Sequence, residues 1–413
     1  MKRREFLIAA ATAAAAGGIL PADGHSDPEI TDRPVGPKPE VIVVGAGAMG
    51  GWTALALAEA GASVTLVDAY GPGNLRAASS DQSRLIRADY DNPLYARMAI
   101  ESHVRLTERQ RQWGETLLIP TGQILFAGVD RNAELDRLEE TLSIVGVAGV
   151  ERLGVPELRR RWPQLDFDGI DSGLFTPGGP GASTILAERT TRRVAKAVQA
   201  AGGRIVLGQA SAPTSVGGRL VVPLSSGDRL EGDIAVYACG AWMSNLFPEM
   251  IARHVEVERR DVFYFGTPPG DARFSHPHLP AWDLVGSGFY GFPDFDGGGF
   301  KIAPYPDRNS IDPDRDDRRP NDYVAERARG FLRRRFPALG DQPLLFGRVC
   351  QVAHTKTEDF IIDRHPGVEG VWLIGGDSGH AFKHGSAIGA DMARRILTGA
   401  GDPGYAAAFR VPD

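Results

Sequence analysis

Only two cysteines, Cys239 and Cys350, occur in the 413 residues. That excludes a disulfide-stapled scaffold and leaves room for one bridge at most, the plain expectation for such a pair in an oxidising compartment. Positive charge is not in excess either. The formal net charge is -6, which disfavours a nucleic-acid surface. Beyond the N-terminal region no apolar run approaches the ~20 residues needed to cross a bilayer, so no stable membrane span is expected in the mature form. Internal repeats are missing, and the histidines show no metal-ligand spacing with suitable partners, so no metal site is expected. What remains is an ordinary globular composition, long enough for two cores.

The N-terminus differs from the rest. Lys2, Arg3 and Arg4 precede Phe6 to Ile8 and an alanine-rich run that ends near Pro21. A basic segment followed by a short apolar one is the pattern of an export signal. Arg3 and Arg4, followed by Glu5, Phe6 and Leu7, resemble the twin-arginine signal, an address for folded proteins crossing the bacterial inner membrane. Residues 1–37 are therefore read as export signal and linker, with a periplasmic mature protein. A basic tail or a membrane anchor is the alternative. The runs Arg159 to Arg161 and Arg333 to Arg335 sit beside helical patterns and read as solvated helix ends.

Val41 to Val44 form a continuous apolar run of the kind found in a buried parallel strand. It leads into Gly45-Ala46-Gly47-Ala48-Met49-Gly50, the G-x-G-x-x-G spacing. Gly45 permits the tight turn, Gly47 lets backbone approach a pyrophosphate, and Gly50 lets the following helix, about Gly50 to Ala60, pack on the strand. That helix offers its N-terminal N–H groups to phosphate. A second strand, Ser63 to Val67, ends at Asp68, placed to accept ribose hydroxyls. A glycine triplet alone is a weak signal; strand, glycines, helix, strand and acid in order make a dinucleotide site. The motif leaves NAD and FAD open.

Near the other end, Gly370 to Asp377 read as a short buried strand entering a glycine turn, and Ser386 to Leu397 as a helix. A second helix N-terminus is thus presented, with Gly376 and Gly379 as cofactor-side glycines. Between them, Ser378 to Gly385 is too polar and glycine-rich for a core.

With these stretches, Ser83-Arg84-Leu85-Ile86-Arg87, Tyr290-Gly291-Phe292-Pro293 with Lys301, and Cys350 through Phe360-Ile361-Ile362-Asp363 complete a pattern. It resembles the FAD-dependent amine oxidoreductases that include D-amino acid oxidase and glycine oxidase, and is most similar to the monomeric sarcosine oxidase and N-methyltryptophan oxidase branch. The resemblance spans nearly the whole mature chain. It implies FAD as cofactor and oxidation of the C–N bond of a small amino acid or secondary amine, with oxygen as acceptor or, as a variant, a respiratory quinone or cytochrome. A nicotinamide-dependent dehydrogenase and a non-catalytic flavin-binding protein are the readings from other classes.

The resemblance also implies roles. It places Arg84 and Ser83 near the flavin and sets Arg87 with Lys383 on the substrate carboxylate, a task suited to a guanidinium fork beside a point charge. Lys301 lies over the ring, with Tyr290 preceding it by the family's interval, and supplies a fixed charge where oxygen is reduced. Cys350 would join the flavin through sulfur, and Cys239, expected near the adenosine half of FAD, would then lie too far from it for a bridge. Otherwise Arg84 and Arg87 are surface arginines without a visible local partner, Lys301 a solvated strand residue, Lys383 a helix-flanking lysine and Cys350 an inert thiol. Two departures bear on substrate: Val352 stands where the branch has tyrosine, and Tyr305, lining the pocket, where it has histidine. Both argue against sarcosine itself. His354, His380 and His384 are candidate pocket or acid-base groups.

The expected fold is α/β: a Rossmann-type FAD domain assembled from 38–100, 183–248 and 345–413. A second α+β domain, from 101–182 and 249–344, would carry a mostly antiparallel sheet with strands such as Val257 to Phe265 and Phe300 to Ala303.

Overall fold

In the computed structural model, residues 38–305 and 310–412 are described. The reading of 1–37 as an export signal lies outside them.

Val41 to Val44 are buried on both faces, so the strand Glu40–Val44 forms the middle of a sheet rather than an edge. Each such side chain contributes ~1.5–3 kcal/mol on leaving water. It pairs in parallel with Ser63–Asp68 on one side and Ile234–Tyr237 on the other. The six-stranded sheet continues outward through Arg204–Leu207, and through Val371–Gly375 to Ile361–Arg364, its one antiparallel member. Helix Ala48–Glu59 packs against helix Gly385–Thr398 closely enough that a Cβ on Gly389 would sit 2.5 Å from the Trp52 backbone. Glycine is the only residue that lets those two helices approach so far.

An eight-stranded sheet forms the second layer, ordered Leu344–Thr355, Val255–Phe265, Phe300–Pro304, Phe289–Phe292, Ala281–Leu284, Gln123–Ala127, Ser172–Thr176 and Glu151–Gly154. Its pairs are antiparallel except that between Ala281–Leu284 and Gln123–Ala127. Its apolar face is covered by Phe331 and Leu332 of helix Asp322–Arg335. The chain from 345 onward therefore contributes first to this sheet, because Leu344–Thr355 pairs along most of its length with Val255–Phe265. It reaches the six-stranded sheet only at Ile361.

The helix Pro93–Trp113 crosses the boundary drawn at 100, and its buried Met98, Ala99 and Leu106 join the core around Ala48–Glu59. Local chemistry makes this helix continuous: Asn92 caps it by accepting from Leu94 N, Pro93 opens it, and Gly114 closes it in the left-handed conformation. Arg335 does not end its helix in solvent. It is buried and donates to the carbonyls of Asp166 and Asp168 at 2.8 Å.

Among the described residues, no helix is long and apolar enough to cross a membrane.

Candidate active site

The turn after the first strand is built by contacts that exclude side chains. Gly45 has φ +104°, and a Cβ there would lie 2.3 Å from the Ala238 carbonyl oxygen. A Cβ on Gly50 would meet the Gly45 oxygen at 2.0 Å, so the helix rests directly on the turn. Asp68 fastens this arrangement: its Oδ2 accepts from Ala46 N at 2.8 Å and its Oδ1 from Tyr70 N at 2.9 Å. Burial pushes the Asp68 carboxyl upward, with those N–H groups opposing. Asn74 Nδ2 adds a longer bond to Oδ1 at 3.4 Å, which leaves Oδ2 as the oxygen with room for a ribose hydroxyl.

A cavity of about 1530 Å³ runs from Gly45, Gly47 and Asp68 past Arg84 to Lys301, Cys350 and Lys383. That exceeds the ~300–1,000 Å³ of an ordinary small-ligand pocket. Gly379 (φ +75°) lines the wall near Lys383, while Gly376 (φ +64°) does not line the cavity and packs instead against Thr355, whose side chain a Cβ there would meet at 2.6 Å. The long cavity, the glycine turn at a helix N-terminus and the second turn fit a dinucleotide of the size of FAD.

The two cysteines are free and line different parts of this cavity. Cys239 turns its sulfur toward the Val44 carbonyl at 3.5 Å, and burial, with Asp68 adding to it, pushes the thiol up to about 12. Cys350 instead receives a bond from Arg84 Nη2 at 3.5 Å. No bridge joins them, in keeping with the placement of the two positions at opposite ends of an extended cofactor.

Arg84 and Arg87 prove to have near partners, contrary to their reading as unpartnered. Arg84 Nη1 pairs with Asp81 at 2.7 Å, and its Nη2 donates to the carbonyls of Ala78 and Ser80. Arg87 pairs with Asp89 at 3.2 Å and lies over the Tyr90 ring at 4.7 Å. Lys301 is 2 % exposed, so its place on a strand does not take it into solvent. Its Nζ donates to Asp81 Oδ2 at 2.7 Å and to Ser83 O at 2.9 Å. Burial lowers Lys301 to about 8, with Asp81 opposing the fall and Arg84 deepening it.

Lys383 Nζ donates to the Tyr90 hydroxyl at 2.9 Å, and the same hydroxyl meets His380 Nδ1 at 3.2 Å and His384 Nε2 at 3.0 Å. Burial, and then Arg87, push Lys383 well below the usual ammonium range. Burial and Lys383 likewise take His380 down to about 3, so it is neutral. Tyr305 donates to Asp283 Oδ2 at 2.6 Å and stacks obliquely 5.2 Å from Tyr290. Burial pushes Asp283 up to about 7 against that bond. His354 faces Glu258 at 3.3 Å, and Val352 is buried in the cavity wall.

Four residues of this site escaped the sequence reading: Asp81, Asp89, Tyr90 and Asp283. The spacing of Asp81 three before Arg84, and of Asp89 two after Arg87, was a usable signal. Tyr90 and Asp283 carried none.

A parallel sheet with a glycine turn, a second sheet, and one elongated cavity bounded by both define a dinucleotide-dependent oxidoreductase. The profile of the FAD dependent oxidoreductase family matches residues 40–395. The chain belongs to that family, and FAD is its cofactor. It is 26% identical to monomeric sarcosine oxidase of a Bacillus species, over 87% of this chain and 92% of that protein. To N-methyl-L-tryptophan oxidase of Escherichia coli K12 the identity is 27%, over 85% and 93%. A solved fructosyl peptide oxidase mutant superposes with a TM-score of 0.79 at 20% identity, over 91% and 94%.

Proposed function

We propose that the chain oxidises the C–N bond of a small amino acid or secondary amine, of the N-methyl amino acid kind, to an imine, with oxygen as acceptor and hydrogen peroxide as product. One observation carries this reading: Arg87, Lys301, Cys350 and Lys383, scattered over the sequence, line one cavity with the Gly45–Gly47 turn. The names of the relatives above support it. FAD, when bound, takes the hydride and later delivers electrons to oxygen.

Around it, the residues of the chain bind and orient. Gly45, Gly47 and Asp68 would hold the adenosine and phosphate end, with Gly50 packed behind the turn; Gly379 would lie against the other end, with Ser83 and Gly376 set behind the cavity wall. Arg87 and Lys383 would grip the substrate carboxylate, with Tyr290 and Tyr305 closing the pocket beside it. The depressed Lys383 suits that role, since an arriving anion restores the charge that burial removes. Lys301 and Arg84 keep positive charge at the oxygen side.

A panel of N-methyl amino acids, D-amino acids, cyclic imino acids and larger secondary amines, added anaerobically, tests this. Bleaching of the flavin by at least one secondary amine is expected, followed by recolouring in air with peroxide release. A protein that no member bleaches would end the reading. Recolouring only with a quinone or cytochrome would assign the respiratory variant instead.

Two finer points belong to the same proposal. Cys350, in the cavity wall beside Arg84, would hold FAD through a thioether. Acid precipitation of the native protein is then expected to leave the yellow colour in the pellet and that of Cys350→Ser to release it; release from both would remove the covalent link. The paired Arg3 and Arg4 support export to the periplasm, which fractionation finding the protein in the cytoplasm would dismiss.

A further inference from the structure

Asp81 is fully buried in a backbone conformation that its side chain makes costly. Its φ is +137°, and a non-glycine residue stays in such a region only where its surroundings over-determine it. Those surroundings are an ion cluster. Oδ2 accepts from Lys301 Nζ and from Arg84 Nη1, each at 2.7 Å. Oδ1 accepts from Gln82 N at 2.8 Å and from the Tyr264 hydroxyl, with Arg348 Nη1 3.8 Å away. The Lys301 ammonium is completed by Ser83, through its carbonyl at 2.9 Å and its hydroxyl at 3.3 Å. It also lies 4.8 Å from the Phe292 ring.

Two cations in one buried wall repel each other, and a buried ammonium sheds its proton unless an anion stands beside it. Facing Lys301 are Asp81, Arg84, Cys350 and the Tyr264 ring, with Arg348 beyond Asp81. Among these the acid is Asp81. We propose that Asp81 is a positioning residue for the oxygen half of the reaction: its carboxylate pins the Lys301 amine against Ser83 and keeps it protonated beside Arg84. This rests on the oxygen-side reading of Lys301 above. It also accounts for the strained backbone, because the bridge between Lys301 and Arg84 requires the carboxylate where that φ puts it. With the acid in place, burial leaves Lys301 titrating at about 8.

The test uses the FAD-loaded full chain as unaltered protein, Lys301→Met, Asp81→Asn and Asp81→Gly. The last relieves the positive φ and so separates loss of charge from a folding defect. Two quantities are read: the pH titration of flavin absorbance in the resting oxidised protein, and the stopped-flow rate of reaction of the reduced protein with oxygen. The unaltered protein is expected to show a titration near pH 8 that Lys301→Met lacks. Both Asp81 variants should move it down by a unit or more, and at pH 9 slow reoxidation about tenfold, one pKa unit being a factor of ten in the deprotonated regime. Anaerobic reduction by substrate should change by less than about threefold, because Asp81 acts through Lys301 and not on the substrate. Asp81 variants titrating where the unaltered protein does would overturn the proposal alone. Identical titrations of the unaltered protein and Lys301→Met would overturn the reading of Lys301, and the proposal with it.

Discussion

Gly45→Ala is expected to yield a colourless protein. The added methyl group would lie 2.3 Å from the Ala238 oxygen and 2.8 Å from its carbonyl carbon, contacts that real Cβ atoms do not make. The obstacle is backbone at the end of the strand Ile234–Tyr237, which is hydrogen-bonded on both sides, so it cannot swing away as a side chain could. The residue would also have to hold φ +104° with a Cβ. Strain of ~1–3 kcal/mol for such a φ and a similar overpacking cost add to ~2–6 kcal/mol, a large share of the stability of an ordinary domain. The turn would relieve this by moving outward, carrying the Gly47 backbone away from where the phosphates would lie. Visible absorbance after purification and the melting temperature check the result together; a yellow variant with an unchanged melting temperature would remove Gly45 from the cofactor cradle.

Arg87→Met is expected to cost on the order of 10²–10³ in kcat/KM for an amine that carries a carboxylate, the loss typical of truncating one partner of a buried charge pair. The same variant should lose less than about threefold with the matching amine lacking the carboxylate. Arg87 is engaged by Asp89 in the structure, so a substrate anion must compete for it or share it. A guanidinium can do this, because its fork offers five donors and Arg87 meets Asp89 through Nη1. Equal losses with both amines would mean that Arg87 supports Asp89 and Tyr90 and never touches the substrate.

Much of the cofactor end was legible because its signals are local. Strand Glu40–Val44, the glycines and Asp68 lie within 29 residues, and each has a steric or hydrogen-bonding reason that operates along the chain. The substrate end was legible only through resemblance. Nothing in the neighbourhood of Lys301 says that it is buried: a lysine between Phe300 and Ile302 on a strand reads as solvent-facing until an acid 220 positions away is brought to its amine. The same holds for Lys383 and Tyr90, which the sequence separates by 293 residues. The sheet that the chain after 345 joins first was hidden for a related reason. Leu344–Thr355 has no local feature assigning it to one sheet, and its pairing with Val255–Phe265 decides the matter.

Backbone sterics and period, which act over a few residues, were enough for the amino-acid sequence alone to determine a parallel strand entering a glycine turn, the acid that follows, and the membership of Gly376 and Gly379 in a second turn. The ionic state around Lys301 was left to the tertiary structure. Whether Arg84 and Lys301 share one carboxylate, and whether Arg87 meets Asp89, depends on which charges are buried together, and burial is a property of the assembled layers that no stretch of chain carries by itself.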